Sequence, residues 1–473
     1  MQKNVKYRLK ACNFCVSAVA LLLLAFLVFH SSCRKDDLYT GKDARLEFNN
    51  DTVLFDTIFT TLGSVTKKFL VFNNYDKSLR ISNIRLAGGK YSSFRLNIDG
   101  QPATEMKDVD LLPHDSLYIF VDVTIDPNSA DLPFIVKDSV EFLTNGNFQY
   151  VRLMAWGQNA HFLHDSMLAC NAVWTPDLPY VISNHIGIDV NCKLTIQPGV
   201  KVYSDINSAI LVWGTMEVNG DTGNTVLFTG IRQDKYYKDV PGQWYGIYFL
   251  RESKENRISN ALIRNAVFGV RVDSLPVTSN PNLYLENVRI ENMSVAGILG
   301  FSSRIEAFNC VVSNSCQYLV ACDYGGTYSF YHCTFSHEGC NCSSHYPAIA
   351  CYNTDNKTFI NDLNLTIRNS IVYGPKEEEF EVKKTGQGNV YVLVANSLLT
   401  TKQSGLNING NILNKDPKFR QKCRYSYELD SASVCIDAAD PAVISQFPAL
   451  QYDLHGKPRE ILKPDMGAVE KQK

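Results

Sequence analysis

The sequence predicts an all-β chain in two parts: a sandwich of short strands, then a parallel solenoid with a C-terminal cap. Three observations predict it. Between residues 44 and 160, alternating apolar runs are cut at short intervals by turn residues, the punctuation of a sandwich. From about residue 190 onward, a phrase that opens on Asn and closes on Asn five positions later recurs, with no helical stripe. A recurrence of that kind marks a solenoid. Finally, 45% of the 473 residues are hydrophobic and 20% charged, a globular composition that excludes a disordered or collagen-like chain.

The first element is an address. Lys3, Lys6, Arg8 and Lys10 precede an apolar core from Val16 to Phe29, and Ser31-Ser32-Cys33 follows. A basic head, an apolar middle and small residues before a cut describe a secretory signal, here residues 1–32. Only the apolar run Ala11–Phe29, which contains this core, is long enough to matter for a membrane, so a multi-span transporter is excluded. The small-small-Cys ending resembles a bacterial lipoprotein box, which implies acylation of Cys33; His30 departs from the usual apolar residue there. Lys35-Asp36-Asp37, in the tether 33–43, resembles the surface-export signal of Bacteroidota lipoproteins. The resemblance implies an outer-membrane protein, held by its N-terminal lipid and exposed on the cell surface. The whole chain carries a net charge of −2 with no long basic stretch, so nucleic acid is not an expected partner.

The second element spans 44–160. Thr52-Val-Leu-Phe-Asp56, Lys68-Phe-Leu-Val-Phe72, Leu117-Tyr-Ile-Phe-Val-Asp-Val123 and Val140-Glu-Phe-Leu143 read as strands. Asn73-Asn74, Gly88-Gly89, Asp99-Gly100, Asp126-Pro127 and Asn145-Gly146 read as turns. No Cys falls between 34 and 169, so an apolar core alone must hold this part. It resembles the Ig-like modules that stand before other domains in bacterial surface proteins. Residues 161–190 are expected to be a linker or an N-terminal cap of the solenoid.

The third element is the solenoid, 191–404. Asn260-Ala-Leu-Ile-Arg-Asn265, Asn287-Val-Arg-Ile-Glu-Asn292 and Asn309-Cys-Val-Val-Ser-Asn314 open the series. His332-Cys-Thr-Phe-Ser-His337, Asn369-Ser-Ile-Val-Tyr-Gly374 and Asn396-Ser-Leu-Leu-Thr400 continue it, at spacings of 27, 22, 23, 37 and 27 residues. Asn tolerates left-handed geometry at tight corners, and stacked Asn amides can bond to one another in a ladder. The pattern resembles a right-handed parallel β-helix, the pectin-lyase-like fold. With Leu194-Thr-Ile-Gln-Pro-Gly199, Gly242-Gln-Trp-Tyr-Gly-Ile247 and the closing Asp465-Met-Gly-Ala-Val-Glu470, it is similar to β-helix lipoproteins of the Bacteroidota. Residues 405–473 are expected to form the C-terminal coils and to cover the last of them, because a bare solenoid end exposes strand edges.

Chemistry is harder to read. A β-helix hydrolase needs carboxylates on neighbouring coils, and a lyase needs acids around Ca²⁺ and a proton-abstracting base. No such motif stands out, so no catalytic residue is named and no cofactor is expected. Aromatic residues gather in the first coils: Tyr203, Trp213, Tyr236, Tyr237, Trp244, Tyr245, Tyr248 and Phe249. Such rings stack on sugars or pack an insertion against the coils, and Trp213, Trp244 and Tyr245 are the candidate ligand contacts. His337, Cys340, Cys342 and His345 are of zinc-ligating type, but their spacing is not that of a paired Cys framework, and no metal is assigned. Eleven Cys remain without Cys12, Cys15 and Cys33, an odd number, so at least one is unpaired. Cys310 and Cys333 hold the same place in successive phrases and are expected in contact and reduced. Asp51-Thr-Val, Asp115-Ser-Leu, Asp138-Ser-Val and Asp273-Ser-Leu resemble the O-glycosylation triplets of Bacteroidota exported proteins.

Three functions remain open. The leading one is a binding or adhesion module, with a polysaccharide or host glycan as partner. The second is a polysaccharide lyase or glycoside hydrolase. The third is a structural spacer. Acids grouped on one face of adjacent coils would favour the enzyme, and an aromatic strip without them would favour binding.

Overall fold

The computed structural model describes residues 37–127, 134–273, 279–339, 342–354, 361–385, 387–420 and 426–472. Cys33, Lys35, Asp36 and Cys340 therefore lie outside the described residues. The chain divides into two compact units, with Ile135–Gly157 in the first and residues from Gln158 onward in the second.

The first unit holds two five-stranded sheets. One runs in the order Glu47–Phe48, Lys67–Phe72, Ser116–Val123, Phe94–Ile98, Gln101–Pro102; the other runs Thr52–Phe59, Asn147–Gln158, Phe134–Thr144, Leu79–Leu86, Glu105–Leu111. Lys67–Phe72 and Phe94–Ile98 both lie antiparallel to Ser116–Val123. Leu79–Leu86 is antiparallel to both its neighbours. Alternation places Phe55 and Phe142 of one sheet and Phe69 and Phe94 of the other inward. Rings meet between the layers, Phe69 with Phe142 at 6.3 Å and Phe55 with Phe94 at 5.9 Å. The Asp99-Gly100 and Asn145-Gly146 turns have positive φ at both residues, the requirement of a tight two-residue hairpin.

The second unit is a parallel β-solenoid whose strands join in one 23-stranded assembly. Each full coil contributes to three stacks, which define three faces. The first face holds Ala209–Val212, Gly246–Phe249, Phe268–Val272, the beginnings of Ala296–Phe308 and Tyr318–Tyr331, Ile349–Tyr352 and Phe380–Lys383. The pairings Asn256↔Leu283, Leu283↔Ile305, Ile305↔Tyr328, Tyr328↔Leu365 and Leu365↔Val392 on the second face advance by 27, 22, 23, 37 and 27 residues. The spacing of the Asn phrases is thus the register of the coils. Inward Ile, Val, Leu and Phe of all three faces fill one continuous core. Residues 161–190 are not a linker: His161–Met167 and Tyr180–Ile188 pair in parallel within the same assembly.

The Asn phrases occupy corners. Asn260, Asn265, Asn287, Asn292, Asn309, Asn314, Asn369 and Asn396 all have φ between 48° and 64°. Side chains bond from coil to coil: Asn287 Nδ2 donates to Asn260 Oδ1 at 3.2 Å and Asn292 Nδ2 to Asn265 Oδ1 at 3.3 Å. Cys310 and Cys333 are buried and free, and their thiols interact; burial pushes the Cys310 thiol well above its ordinary range. Cys322 and Cys351 stack in register in the same free state, while Cys170–Cys192 and Cys316–Cys342 are disulfides.

The closing segment does more than cover the last coil. Leu406, like Val382 and Val390 of the last coils, packs against the core. Beyond it the chain turns back and lies along the corner where the second face meets the third, the stack that includes Val311–Ser313, Thr334–Ser336, Ile371–Tyr373 and Leu398–Leu399. Leu454, Met466, Ala468 and Val469 pack on Val311, Ile371 and Leu398. Asn309 Nδ2 donates to Ala449 O and Tyr452 O, and Arg459 Nη2 donates to Asn309 Oδ1 at 2.8 Å. The cause is visible in the phrases: Val311, Ile371 and Leu398 point outward and are apolar, so this face must be covered on both sides.

Candidate functional site

The outward side of the first face carries the site. In a strand, alternate residues point to opposite faces, so inward Ile247, Val270, Ile298, Val320 and Ile349 leave Tyr248, Arg271, Leu299, Ala321, Ala350 and Glu381 outward in one register column. Phe268, Ala296 and Tyr318 form a second column. Rings adjoin along the axis: Tyr248 and Phe268 at 6.0 Å, Phe301 and Tyr324 at 5.5 Å, Tyr318 and Tyr346 at 4.8 Å. Most are half-buried, held by the sheet with one side toward solvent, and Tyr346 is 43% exposed. From Tyr248 to Glu381 the first column advances five coils, about 24 Å.

Charge along the row is balanced pair by pair. Arg271 lies over both the Tyr248 and Phe301 rings at 5.3 Å, and its Nε donates to both oxygens of Asp273 at 2.8 and 3.0 Å. Farther along, Tyr352 donates to Glu381 Oε1 at 2.6 Å and Lys383 pairs with the same carboxylate. Burial, and then the Glu381 carboxylate, pushes the Tyr352 phenol above its ordinary range. Asp273 and Asp323 are two coils apart with Phe301 between them in register, a separation of about 10 Å. The face is thus an aromatic strip with compensated charges. Such a strip can stack on the apolar faces of flat rings and bond at the edges through Tyr hydroxyls.

The candidate contacts fare unequally. Tyr245 is 38% exposed at the head of the strip, its ring 6.4 Å from His185. Trp244 is a core residue, 1% exposed, whose Nε1 donates to Arg264 O at 3.0 Å; it offers no face to a ligand. Trp213 is half-buried and reaches toward Gly187 and Met167. The metal-type group does not assemble as thiolates and imidazoles. Cys342 is bonded to Cys316, and His345 is exposed. His337 is buried with Nδ1 2.9 Å from Glu379 Oε2. Among the described residues no group of three or more His, Cys, Asp or Glu is placed to hold a metal. Asp37 is exposed and pairs with Lys77 at 3.0 Å.

Phe268, Phe301, Tyr318, Tyr324, Tyr346 and Tyr352 escaped sequence reasoning because they sit in different coils, roughly one turn of the solenoid apart. Register alone would not have gathered them: the positions equivalent to Tyr248 are Arg271, Leu299, Ala321, Ala350 and Glu381, and of Ala296 and Tyr318, equivalent to Phe268, one is aromatic.

Residues 182–335 match the sequence model of a right handed beta helix region, which agrees with the parallel coils. No curated protein matches the chain. A family 123 glycoside hydrolase from Clostridium perfringens, described for glycolipid glycan hydrolysis, is similar at 8% identity and a TM-score of 0.19, over 26% of this chain and 30% of that one. The ASH/PapD-like domain of human CEP192 is similar at 12% identity and a TM-score of 0.18, over 25% of this chain and 87% of that one. At such scores neither likeness bears on fold or function.

Proposed function

We propose that the protein is a glycan-binding or adhesion module, with the aromatic strip on the first face as its binding surface. The strip itself carries this reading: half-buried rings recur from Tyr248 to Tyr352 over four coils, about 19 Å of solenoid, and an extended glycan advances by about one coil rise per sugar. Asp273 is committed to Arg271, so the strip favours binding over a carboxylate-pair hydrolase. In this reading the N-terminal two-sheet unit is an Ig-like module. Cys33 carries the lipid, and Lys35-Asp36-Asp37 direct the protein to the outer surface of the outer membrane. Support for the address is the basic and apolar leader before Ser31-Ser32-Cys33.

A glycan array with the intact protein, paired with a depolymerisation assay on the glycans it retains, tests the proposal. Retention without cleavage is expected, with affinity reduced by Phe301→Ala or Tyr318→Ala. Retention that survives both substitutions together, or progressive cleavage of the retained glycan, would overturn it.

A further inference from the structure

The charges of the first face are unevenly placed along the axis. Arg271 and Asp273 stand on one coil, Asp323 stands two coils on, and Glu381 and Lys383 stand two coils beyond that. Carboxylates therefore recur about every 10 Å, while the two cations lie only at the ends. On the coils between, residues 296–301, 318–323 and 349–352 contain one charged side chain, Asp323, and it is half-buried.

Each cation already has its carboxylate. Arg271 lies over Tyr248 of the coil before and Phe301 of the coil after, 5.3 Å from each ring, and its Nε donates to both oxygens of Asp273. Lys383 pairs with Glu381, which also accepts from the Tyr352 hydroxyl. The Asp273 and Glu381 side chains remain 22% and 23% exposed, so a ligand on the strip still meets them. Three acids against two bases leave one negative charge in surplus, at the middle of the strip. The nearby segments outside the described residues do not alter the sum: 274–278 carries no charge, and 355–360 carries one Asp and one Lys.

An acidic sugar stacked on these rings would stand within about 5 Å, along the axis, of a carboxylate wherever it sat. No free cation of the strip would be there to meet it. Two like charges about 6 Å apart in water weaken binding roughly threefold. A sugar hydroxyl meets no such penalty, because it can donate to a carboxylate.

We infer that the strip selects an uncharged glycan and rejects uronate, sialylated and sulfated chains. The inference rests on the strip being the glycan surface, and it adds the class of glycan to that reading.

The test uses the full chain and matched pairs of probes. Cello-, manno- and galacto-oligosaccharides are each presented beside a counterpart whose primary alcohols have been oxidised to carboxylates. Loss of retention in Phe301→Ala identifies binding through the strip. Neutral members are expected to be retained in this way and preferred over their acidic counterparts by about threefold or more at low salt. The preference should shrink as salt rises, because screening relieves the repulsion. Asp323→Asn, which removes the surplus charge, should reduce the preference about threefold, with the thermal midpoint confirming that the variant is folded. Acidic members retained through Phe301 as strongly as neutral ones, an affinity for them that falls as salt rises, or a preference unchanged in folded Asp323→Asn overturns the inference and leaves the strip reading in place. Retention that ignores Phe301, or no retention of any member, removes the strip and the inference together.

Discussion

Asn287 shows what one residue contributes to a coil. Its φ is 55°, a conformation that costs an ordinary L-residue about 1–2 kcal/mol, and its amide donates to the coil before it. Replacing it with Ala removes both the tolerance and the bond, so Asn287→Ala should destabilise the solenoid by about 1–3 kcal/mol. Asn287→Gly should recover part of that loss, and urea midpoints of the two variants measure the difference. The cysteines behave as fillers. Cys310, Cys322, Cys333, Cys351 and Cys435 are buried and free, and burial pushes the Cys435 thiol up to about 12. Desolvated thiols resist becoming thiolates. All five should therefore be inert to a disulfide-exchange reagent in the native protein at neutral pH and react once it unfolds. Rapid native labelling of Cys310 or Cys333 would contradict the packing described above.

The C-terminal strap shows what one element contributes. It covers Val311, Ile371 and Leu398, and it replaces the coil-to-coil bond at Asn309 with bonds to its own backbone and to Arg459. His332, also at this corner, is fully buried and accepts from Asn369 Nδ2 at 2.8 Å. Burial, and then the nearby Arg459 guanidinium, lowers its pKa well below the ordinary value of 6.5. The unfolded chain therefore binds a proton more readily than the folded one. This contribution is fully present above about pH 6.5 and declines as pH falls through it, with a slope of at most about 1.4 kcal/mol per pH unit. Asp465 and Glu470 are raised by burial and act with the opposite sign. His332→Asn, which restores the usual phrase residue, should flatten the dependence between pH 5 and 7, as thermal midpoints across that range would show. The strap was legible in retrospect. Asn309-Cys-Val-Val, Asn369-Ser-Ile-Val and Asn396-Ser-Leu-Leu carry adjacent apolar residues where a strand with one wet side would alternate. The phrases name the covered face, but not the distant segment that covers it.

At the scale of the whole molecule, the repeat spacing was enough to set the coil register, because an equivalent corner must recur once per turn. The location of the strip was not, because its rings come from different register columns and from coils of unequal length, and only the three-dimensional stack brings Tyr248, Phe301 and Tyr318 onto one face. Removing one such ring should weaken a bound glycan by about 0.5–1.5 kcal/mol, roughly twofold to tenfold, read as a shift in array or calorimetric affinity. The proposed anchor makes a separate demand. Cys33→Ser should release the protein from membranes or leave an unprocessed precursor, and fatty-acid labelling that persists in that variant would exclude Cys33 as the acylated residue. Changing Lys35, Asp36 and Asp37 together to Ala should keep the protein at the membrane but protect it from protease added outside the cell; unchanged digestion would remove these residues from any role in export.

The strap also imposes an order on biosynthesis. Asn309 and Arg459, which bond at 2.8 Å, are 150 residues apart in the chain, and Thr334 waits 134 residues for Ala468, whose backbone N–H donates to its hydroxyl at 3.0 Å. The coils from Asn309 to Leu398 are thus synthesised and delivered with an apolar flank uncovered, and it stays uncovered until residues near 470 arrive. A chain interrupted anywhere in that interval presents the flank to chaperones and proteases. Once residues 454–469 have arrived the flank is hidden, so its covering reports that the coils before them are present.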